Sequence, residues 1–198
     1  HVLVIGGGDT GNDCTGSAIR QGCKSVTQLE MMPQPPKERT GSNTWPEWPR
    51  IEKTDYGQQE AIAAFGTDPR RYQSTVKEFI LDETGHVRKA VLSALRPEKD
   101  EATGRLKMVP TGEETTVDAD LVLIAAGFTG CQPYIADAFG AALDGRGRTI
   151  TDNFATSVPK VFACGDARRG QSLVVWALRE GADAAASVDR FLMGYTNL

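Results

Sequence analysis

Two stretches of the chain carry residue types at spacings that suit the binding of a nucleotide. The first is Gly6-x-Gly8-x-x-Gly11, which follows a short apolar run and precedes a helical pattern. In such a turn the first glycine allows a tight bend, the second lets a pyrophosphate approach the backbone, and the third lets helix and strand pack closely. Asp9 and Thr10 lie at the helix start, where free N–H groups attract an anion. We predict a dinucleotide-binding turn here, although glycine-rich turns also arise for purely steric reasons.

Glu30 stands where an adenosine ribose would meet such a site, about twenty positions after Gly11. A carboxylate there can accept both ribose hydroxyls and repels a 2′-phosphate. The alternative is a solvated charge at the end of a strand. Lys37 and Arg39 follow in a loop, and either could reach a phosphate. We predict that NADH is slightly favoured, although the sequence does not decide between NADH and NADPH. Arg39 is included among the predicted nucleotide-binding residues.

The second stretch, from Thr156 to Trp176, predicts a flavin-binding turn. Its apolar residues 161–164 indicate a strand that ends at Gly165 and Asp166, and a long helix is predicted to follow from Gln171 to about Met193. A carboxylate beside free helix N–H groups suits a polyol and a polar ring edge, which is how a flavin is held. The alternative role of Asp166 is to cap the helix or the turn before it.

The elements that position the first site follow from periodicity and turn signals. A strand at Val2 to Ile5, a helix at Thr10 to Gln21 and a strand at Val26 to Glu30 form one β-α-β unit. Residues 31–50 contain five prolines, which exclude regular structure there. This loop includes Trp45-Pro-Glu-Trp-Pro49, whose two tryptophans are expected to pin it to the domain rather than to touch a ligand.

The chain then changes from helical to strand periodicity. A helix at Tyr56 to Phe65 is predicted to turn Ile62 and Phe65 inward. The last strand of this part, Leu121 to Ala126, is almost wholly apolar, which predicts burial on both of its faces. Between them, alternating patterns predict antiparallel strands around residues 76–81, 87–95 and 105–109.

Gly127 marks the predicted boundary between two domains. Residues 1–128 form the nucleotide-binding domain, and residues 129–198 form a C-terminal segment of a second, incomplete domain. That segment is predicted to contain a short helix near Ile135 to Phe139 and a glycine-rich turn at residues 145–147. An apolar stripe broad enough to pack on a sheet runs along the long helix. Its members are Leu173, Trp176, Ala177, Ala184, Val188 and Phe191.

Composition excludes several classes of function. A net charge of −4 without a basic run argues against a nucleic-acid or membrane-surface partner. No membrane-spanning run and no signal-peptide pattern is present, so a cytoplasmic location is expected. The four cysteines form no Cys-x-x-Cys pair and have no neighbouring histidine, so no metal site, cluster or redox dithiol is predicted. No acid, base or nucleophile is assigned, since bound cofactors can supply the chemistry.

Eight segments together resemble the small (beta) subunit of glutamate synthase, and the resemblance covers essentially the whole chain. They are Gly6-Gly-Gly-Asp-Thr-Gly-Asn-Asp13, Gly22-Cys-Lys-Ser-Val26, Pro35-Pro-x-x-Arg39, Trp45-Pro-Glu-Trp-Pro49, Asp55-Tyr-Gly-Gln58, Phe65-Gly-Thr-Asp-Pro-Arg70, Asp120-Leu-Val-Leu-Ile-Ala-Ala-Gly-Phe128 and Gly165-Asp-Ala-Arg-Arg-Gly-Gln-Ser-Leu-Val-Val-Trp176. Such a set is far more specific than a single glycine motif.

The resemblance implies an α/β flavoprotein of the two-dinucleotide-binding, thioredoxin reductase-like class. Its Rossmann-like NAD(P)H-binding domain carries an antiparallel β insert, and residues 129–198 belong to an incomplete FAD-binding domain. In that family the small subunit takes a hydride from NAD(P)H onto FAD. Electrons then pass through iron-sulfur clusters to the large subunit, which makes glutamate from glutamine and 2-oxoglutarate. The large subunit is therefore the implied partner, and a homodimer is a further expectation.

The resemblance also implies roles for individual residues. Gly127 would lie near the nicotinamide half of the nucleotide, and Asp166, after Gly165, would bind the flavin ribityl chain. Three residues at the start of the long helix would face the flavin ring: Gln171, Ser172 and Leu173.

The family's cluster-binding cysteines and FAD fingerprint are absent from this sequence. FAD and the clusters are therefore expected only in the full-length protein, and the fragment alone is expected to be inactive. The competing hypothesis is a non-catalytic nucleotide-binding or subunit-docking module.

Overall fold

A computed structural model describes residues 1–101 and 104–198. The chain divides into two compact units, which we call unit 1 (His1–Gly127) and unit 2 (Phe128–Leu198). The elements of unit 1 are β1 (Val2–Ile5), α1 (Asp9–Arg20), β2 (Val26–Leu29), α2 (Tyr56–Phe65), β3 (Arg70–Arg71), β4 (Ser74–Leu81), β5 (Val87–Lys99), β6 (Leu106–Asp118) and β7 (Leu121–Ile124). Those of unit 2 are α3 (Pro133–Phe139), β8 (Thr151–Asp152), β9 (Ala155–Thr156), α4 (Asp166–Arg169) and α5 (Val174–Met193).

A parallel sheet with strand order β3-β2-β1-β7 forms the centre of unit 1. Alternate residues of β1 face its two sides, as the pleat of a strand requires. Val2 and Val4 pack on one side with Ala18 of α1 and Ala61 of α2. On the other side Leu3 lies in a cluster with buried residues of the antiparallel insert, Ala90 and Leu92. The predicted β-α-β unit is confirmed, and the carboxyl ends of β1, β2 and β7 meet at one edge.

The antiparallel insert is a three-stranded sheet with order β4-β5-β6. The predicted hairpin pattern is confirmed, although β5 and β6 each extend to 13 residues. Both strands continue past a register shift between Ser93 and Leu95, so the pairing runs on to Lys99.

Helix α2 has the predicted bounds, but the predicted inner face is wrong. Ile62 and Phe65 are partly exposed, and Gly57, Gln58 and Ala61 are the buried residues. The reason is the close approach of α1: a Cβ atom on Gly57 would overlap the backbone oxygen of Asn12. Only small or precisely hydrogen-bonded side chains fit between the two helices.

Strand β7 ends two residues earlier than predicted and is not buried on both faces. It is the edge strand of the parallel sheet and pairs only with β1 among the described strands. Ile124 is consequently 77% exposed and Leu121 is 51% exposed. An apolar run makes a strand suitable for burial on both faces, but it does not identify which elements, if any, pack against those faces.

The proline-rich loop is irregular, as predicted, but its tryptophans do not pin it. Trp45 is 82% exposed and Trp48 is 76% exposed. The buried Asn43 holds the loop instead: its amide nitrogen donates to the backbone oxygen of Trp48 at 3.0 Å, and its Oδ1 accepts from the N–H of Arg50 at 2.7 Å. Hydrogen bonds rather than aromatic burial therefore shape this segment.

Unit 2 departs from the prediction around its long helix. Residues 161–164 form no strand, because among the described residues their only strand-like pairing is an isolated bridge between Phe162 and Ala155. The four-residue α4 and Gly170, at φ +89°, separate the turn from α5, which begins at Val174 rather than at Gln171. The short helix α3 and the glycine-rich turn at 145–147 are confirmed.

The predicted apolar stripe of α5 is mostly uncovered. The buried residues of the helix are Glu180, Ala184 and Ser187, of which only Ala184 belongs to the stripe. Two large members of the stripe, Trp176 and Phe191, are exposed. In the part of the chain that the structure describes, neither α5 nor any other helix has the length and apolar character to span a bilayer.

Candidate functional site

Two glycines of the Gly6-x-Gly8-x-x-Gly11 turn are required by the fold itself. Gly6 has φ +131°, and a Cβ atom there would overlap the carbonyl oxygen of Ala125. A Cβ atom on Gly11 would overlap the carbonyl oxygen of Gly6. At this turn the backbones of three elements therefore come into contact: the start of α1, the end of β1 and the end of β7.

Gly8 differs from its neighbours, because nothing in the chain lies within 4 Å of where its Cβ atom would be. Its backbone, at φ −82° and ψ −170°, is extended and open to any residue type. The absence of a side chain at this position is unexplained by internal packing. It leaves an open surface of backbone at the helix start, which is what a pyrophosphate needs for close approach.

The N-terminus of α1 has no side-chain cap. Gly8 occupies the cap position, and the first backbone hydrogen bond of the helix runs from the N–H of Asn12 to the Gly8 oxygen at 3.0 Å. The N–H groups of the residues between them therefore have no intrahelical acceptor. Asp9 and Thr10 are exposed. An anion bound at this turn would accept hydrogen bonds from those N–H groups and would be stabilised by the positive end of the helix dipole.

A buried amide network supports the turn from below. Gln28 of β2 is fully buried, and its Nε2 donates to the carbonyl oxygen of Gly6 at 2.9 Å. Its Oε1 accepts from Nε2 of Gln58 at 3.1 Å, and Oε1 of Gln58 accepts from the N–H of Asp55 at 2.8 Å. Oδ1 of Asn12 binds two further N–H groups at the start of α2. The network fixes the glycine turn to the second helix.

Glu30 lies directly after β2, beside the glycine turn. A Cβ atom on Gly7 would overlap its carboxylate, and its Oε1 accepts from the N–H of Met32 at 2.7 Å. A cavity of about 210 Å³ opens on one side of Glu30 and is lined in part by Lys53, Arg70 and Tyr72. A second cavity, of about 320 Å³, shares Glu30 and runs along the carboxyl ends of β1, β2 and β7.

Arg39 and Lys37 do not line either cavity. The Arg39 guanidinium instead donates to the backbone oxygen of Asn43 at 3.3 Å, within the loop. The structure thus brings Glu30 to the glycine turn, whereas Arg39 is bonded within its loop and lines neither of these two cavities. The cations beside Glu30 are ones that sequence reasoning missed, Lys53 and Arg70.

Gly127 ends unit 1 with φ +91°, two residues after Ala125, whose oxygen lies against the glycine turn. A side chain at Gly127 would meet nothing within 4 Å. Its positive φ, which favours glycine, changes the direction of the backbone after the end of β7.

The Gly165–Asp166 turn of unit 2 is held by a buried carboxylate. Gly165 has φ +61°, and its N–H donates to Oε2 of Glu180 at 2.9 Å. Glu180 is 3% exposed, and its Oε1 accepts from Arg168 and from Arg169, each at 2.9 Å. Asp166 begins α4 with an exposed carboxylate, which leaves that group accessible to a ligand.

The three residues predicted at the start of the long helix precede it. Leu173 is the cap residue of α5, and Ser172 and Leu173 are exposed. Gln171 is turned toward the loop, where its Nε2 donates to the backbone oxygen of Gly130 at 3.2 Å. Within the described ranges, no group of three His, Cys, Asp or Glu side chains is arranged to hold a metal ion.

Residues 75–181, more than half of the chain, match the family model described as pyridine nucleotide-disulphide oxidoreductase. The chain belongs to this family. It is 44% identical over 98% of its length to "Glutamate synthase [NADH]" of Saccharomyces cerevisiae, of which it spans 9%. It is 40% identical over 98% of its length to "Glutamate synthase [NADPH] small chain" of Bacillus subtilis, of which it spans 39%. The predicted resemblance is confirmed, and the chain spans less than two fifths of each of these relatives.

Solved structures confirm the predicted fold class of this oxidoreductase family member. Thioredoxin reductase of T. acidophilum is 27% identical, with a TM-score of 0.63 over 97% of this chain and 52% of that one. FprA of Mycobacterium tuberculosis in complex with NADPH has a TM-score of 0.65 over 96% of this chain and 52% of that one. At 14% identity FprA supports the fold alone.

Sequence reasoning missed the polar residues that brace the two turns. Gln28 carried a weak signal, since a long amide in a short apolar strand requires a buried partner. Glu180 looked like an ordinary helix-surface charge, and its separation of 11 and 12 residues from Arg169 and Arg168 matches no spacing at which neighbouring side chains pair within one helix or strand. The sequence therefore does not identify which backbone group either side chain holds.

Proposed function

We propose that unit 1 is an NAD(P)H-binding domain of a flavin-dependent oxidoreductase. The observation that carries this proposal is Gly8, whose missing side chain leaves open space at an uncapped helix start. The family supports the same assignment, and Glu30 beside the turn supports a ribose at the sheet edge. Gly6, Gly8 and Gly11, together with the N–H groups at Asp9 and Thr10, would hold the pyrophosphate.

We infer that residues 129–198 belong to the FAD-binding domain of the same protein. Asp166 would bind the ribityl chain, and Gly165 would be kept in place by Glu180. The exposed apolar side chains of α5 support a larger domain, because a face carrying Leu173, Trp176 and Phe191 suits burial against further protein. Gly127 would lie near the nicotinamide half.

We further propose that the full-length protein takes part in glutamate synthesis, as the names of its relatives suggest. Bound NAD(P)H and FAD would supply hydride-transfer chemistry, and the residues of this chain named above would bind and orient the two cofactors without a protein acid or base. A large subunit would be the electron-accepting partner, with iron-sulfur clusters held outside these 198 residues. A cytoplasmic location and a homodimer complete the proposal.

Calorimetric titration of the 198-residue chain with NADH and NADPH tests the nucleotide assignment. We expect saturable 1:1 binding, because the β-α-β unit and the open turn are present in unit 1. Circular dichroism of the same preparation shows whether the chain is folded. A folded chain that binds neither nucleotide would contradict the proposed function.

Glu30→Ser is expected to narrow or reverse a preference for NADH. The carboxylate gains two hydrogen bonds from a free ribose but faces the charge of a 2′-phosphate, so removing it should shift the NADH:NADPH affinity ratio by about 10-fold or more. Glu30→Gln keeps the size of the side chain but removes its charge. It therefore separates charge repulsion of the 2′-phosphate from the effect of side-chain shape. An unchanged ratio in both variants would show that Glu30 is only a solvated strand end.

A further inference from the structure

Lys53 lines the 210 Å³ cavity beside Glu30, and two contacts fix its position. Its backbone oxygen accepts a hydrogen bond from Nη1 of Arg70 at 2.7 Å. Its ammonium Nζ lies 4.5 Å from the ring centroid of Trp48, a cation–π distance. The contact gives the exposed Trp48 a role that burial does not supply, because its ring face holds the ammonium group of a residue that lines the cavity.

Arg70, the other cation of this cavity, is already neutralised. Its side chain is 7% exposed and pairs with Asp68 at 2.7 Å and with Glu52 at 3.5 Å. Burial opposes ionisation of Asp68, but the hydrogen bonds and charge of Arg70 outweigh it and hold the pKa of Asp68 below its ordinary value. Arg70 therefore serves to anchor the backbone of Lys53 rather than to receive an anion.

The Lys53 ammonium, in contrast, has no carboxylate partner within residues 1–101 and 104–198. It is held by an aromatic face, which leaves its N–H donors available. The groups around the cavity thus offer one uncommitted cation, Lys53, and one carboxylate, Glu30, whose Oε1 is bound to the N–H of Met32. These two charges act in opposite directions on a phosphate that enters this cavity.

We propose that Lys53, supported by Trp48, is the specificity-determining residue that contacts a 2′-phosphate on the adenosine ribose. The proposal rests on the proposed function, since it presumes that the glycine turn binds a pyridine dinucleotide. Glu30 favours a free ribose, and Lys53 retains affinity for the phosphorylated one. The NADH:NADPH ratio is then set by the balance of two side chains, one at the strand end and one carried by the loop before α2.

Lys37 and Arg39 are the rival cations, because the sequence places both in the same loop. Neither lines the cavity, and Arg39 is bonded to Asn43. Lys37 is exposed and carries the same charge as Lys53, so Lys37→Met is a matched control for any general effect of removing a positive charge from the loop.

The test is calorimetric titration of the whole chain with NADPH and NADH, in wild type and in the Glu30→Ser background. In both backgrounds Lys53→Met should weaken NADPH by about 5-fold to 20-fold and change NADH by less than about 2-fold. Trp48→Leu should weaken NADPH in the same direction but by less. Lys37→Met should leave both affinities unchanged.

Three results would overturn the proposal. Lys53→Met could weaken both nucleotides equally or neither, which would reduce Lys53 to a general surface charge. Lys37→Met or Arg39→Ala could weaken NADPH as much as Lys53→Met does, which would assign the phosphate to another cation. NADPH could fail to bind even in Glu30→Ser. Binding of NADH in these cases preserves the proposed function, whereas a folded wild type that binds neither nucleotide overturns both.

Discussion

Gly8→Val is expected to abolish nucleotide binding while leaving unit 1 folded. The backbone of Gly8 is extended, and a side chain there would meet nothing in the chain within 4 Å. The same side chain would occupy the position of a bound pyrophosphate and separate it from the N–H groups of Asp9 and Thr10. Loss of charge-assisted hydrogen bonds worth about 1.5 to 3 kcal/mol each should weaken binding of NADH by about 100-fold or more. Calorimetry measures the affinity, and thermal unfolding measures the fold.

Gly11→Val is the informative contrast, because a Cβ atom at Gly11 would overlap backbone at Gly6. It should lower the melting temperature as well as the affinity, so it cannot separate binding from folding. Gly8→Ala should give a smaller loss of affinity than Gly8→Val. A Gly8→Val protein that binds NADH as tightly as wild type would show that the ligand does not pass over this turn.

Local signals were sufficient for the β-α-β unit and for the bounds of α2. The glycine turn, α1 and the first two strands depend on contacts within about thirty residues, so periodicity and glycine spacing determine them. Helix α2 was found for the same reason: Asp55 and Gln58 form a capping box at its start, and Gly66 ends it in a left-handed conformation. Glu30 also lies beside the turn because β2 pairs in parallel with β1 and both strands end at the same level, Ile5 opposite Leu29.

The predictions that failed depended on partners distant in sequence. Residues 161–164 have the composition of a buried strand, but strands require neighbours, and among the residues that the structure describes only Ala155 supplies a bridge. The exposure of Ile124 follows from the edge position of β7, which no local pattern reveals. Trp48 was expected to be buried because aromatic residues generally are, yet its ring face holds Lys53.

Polar networks were the least predictable part of the site. Gln28 and Gln58 meet across 30 positions, and Gly165 meets Glu180 across 15, so no motif spans either contact. Both networks hold a backbone group of a turn, the Gly6 carbonyl oxygen and the Gly165 N–H. These side chains satisfy the hydrogen-bonding needs of backbone groups, so their reactivity gives no sign of their role.

Glu180→Ala is expected to destabilise unit 2 by about 2 to 4 kcal/mol. The change removes the acceptor of the Gly165 N–H and leaves Arg168 and Arg169 without their shared carboxylate. Removing one partner of a fully buried ion pair costs about 3 to 5 kcal/mol, but both guanidinium groups are about a third exposed and can be hydrated, which lowers the expected loss.

The unfolding of unit 2 can be followed by itself through Trp176, whose ring lies 4.2 Å from the Arg169 guanidinium. The other two tryptophans are exposed residues of unit 1, so Trp45→Phe and Trp48→Phe leave Trp176 as the sole reporter. Urea titration of this background, with and without Glu180→Ala, gives the free energy of unfolding. Hydrogen exchange at the Gly165 amide reports the turn directly and should accelerate in the variant.

Asp183→Ala is the matched control, because it removes a carboxylate from the same helix. Asp183 pairs with Arg179, which is exposed, so its loss should cost less than about 1 kcal/mol and leave exchange at Gly165 unchanged. Glu180→Gln should fall between the two, since its amide oxygen can still accept from Gly165 while the charge on the arginines is no longer matched. If Glu180→Ala matched Asp183→Ala in both measurements, Glu180 would contribute no more stability than a surface charge, and the Gly165–Asp166 turn would be held by its own backbone alone.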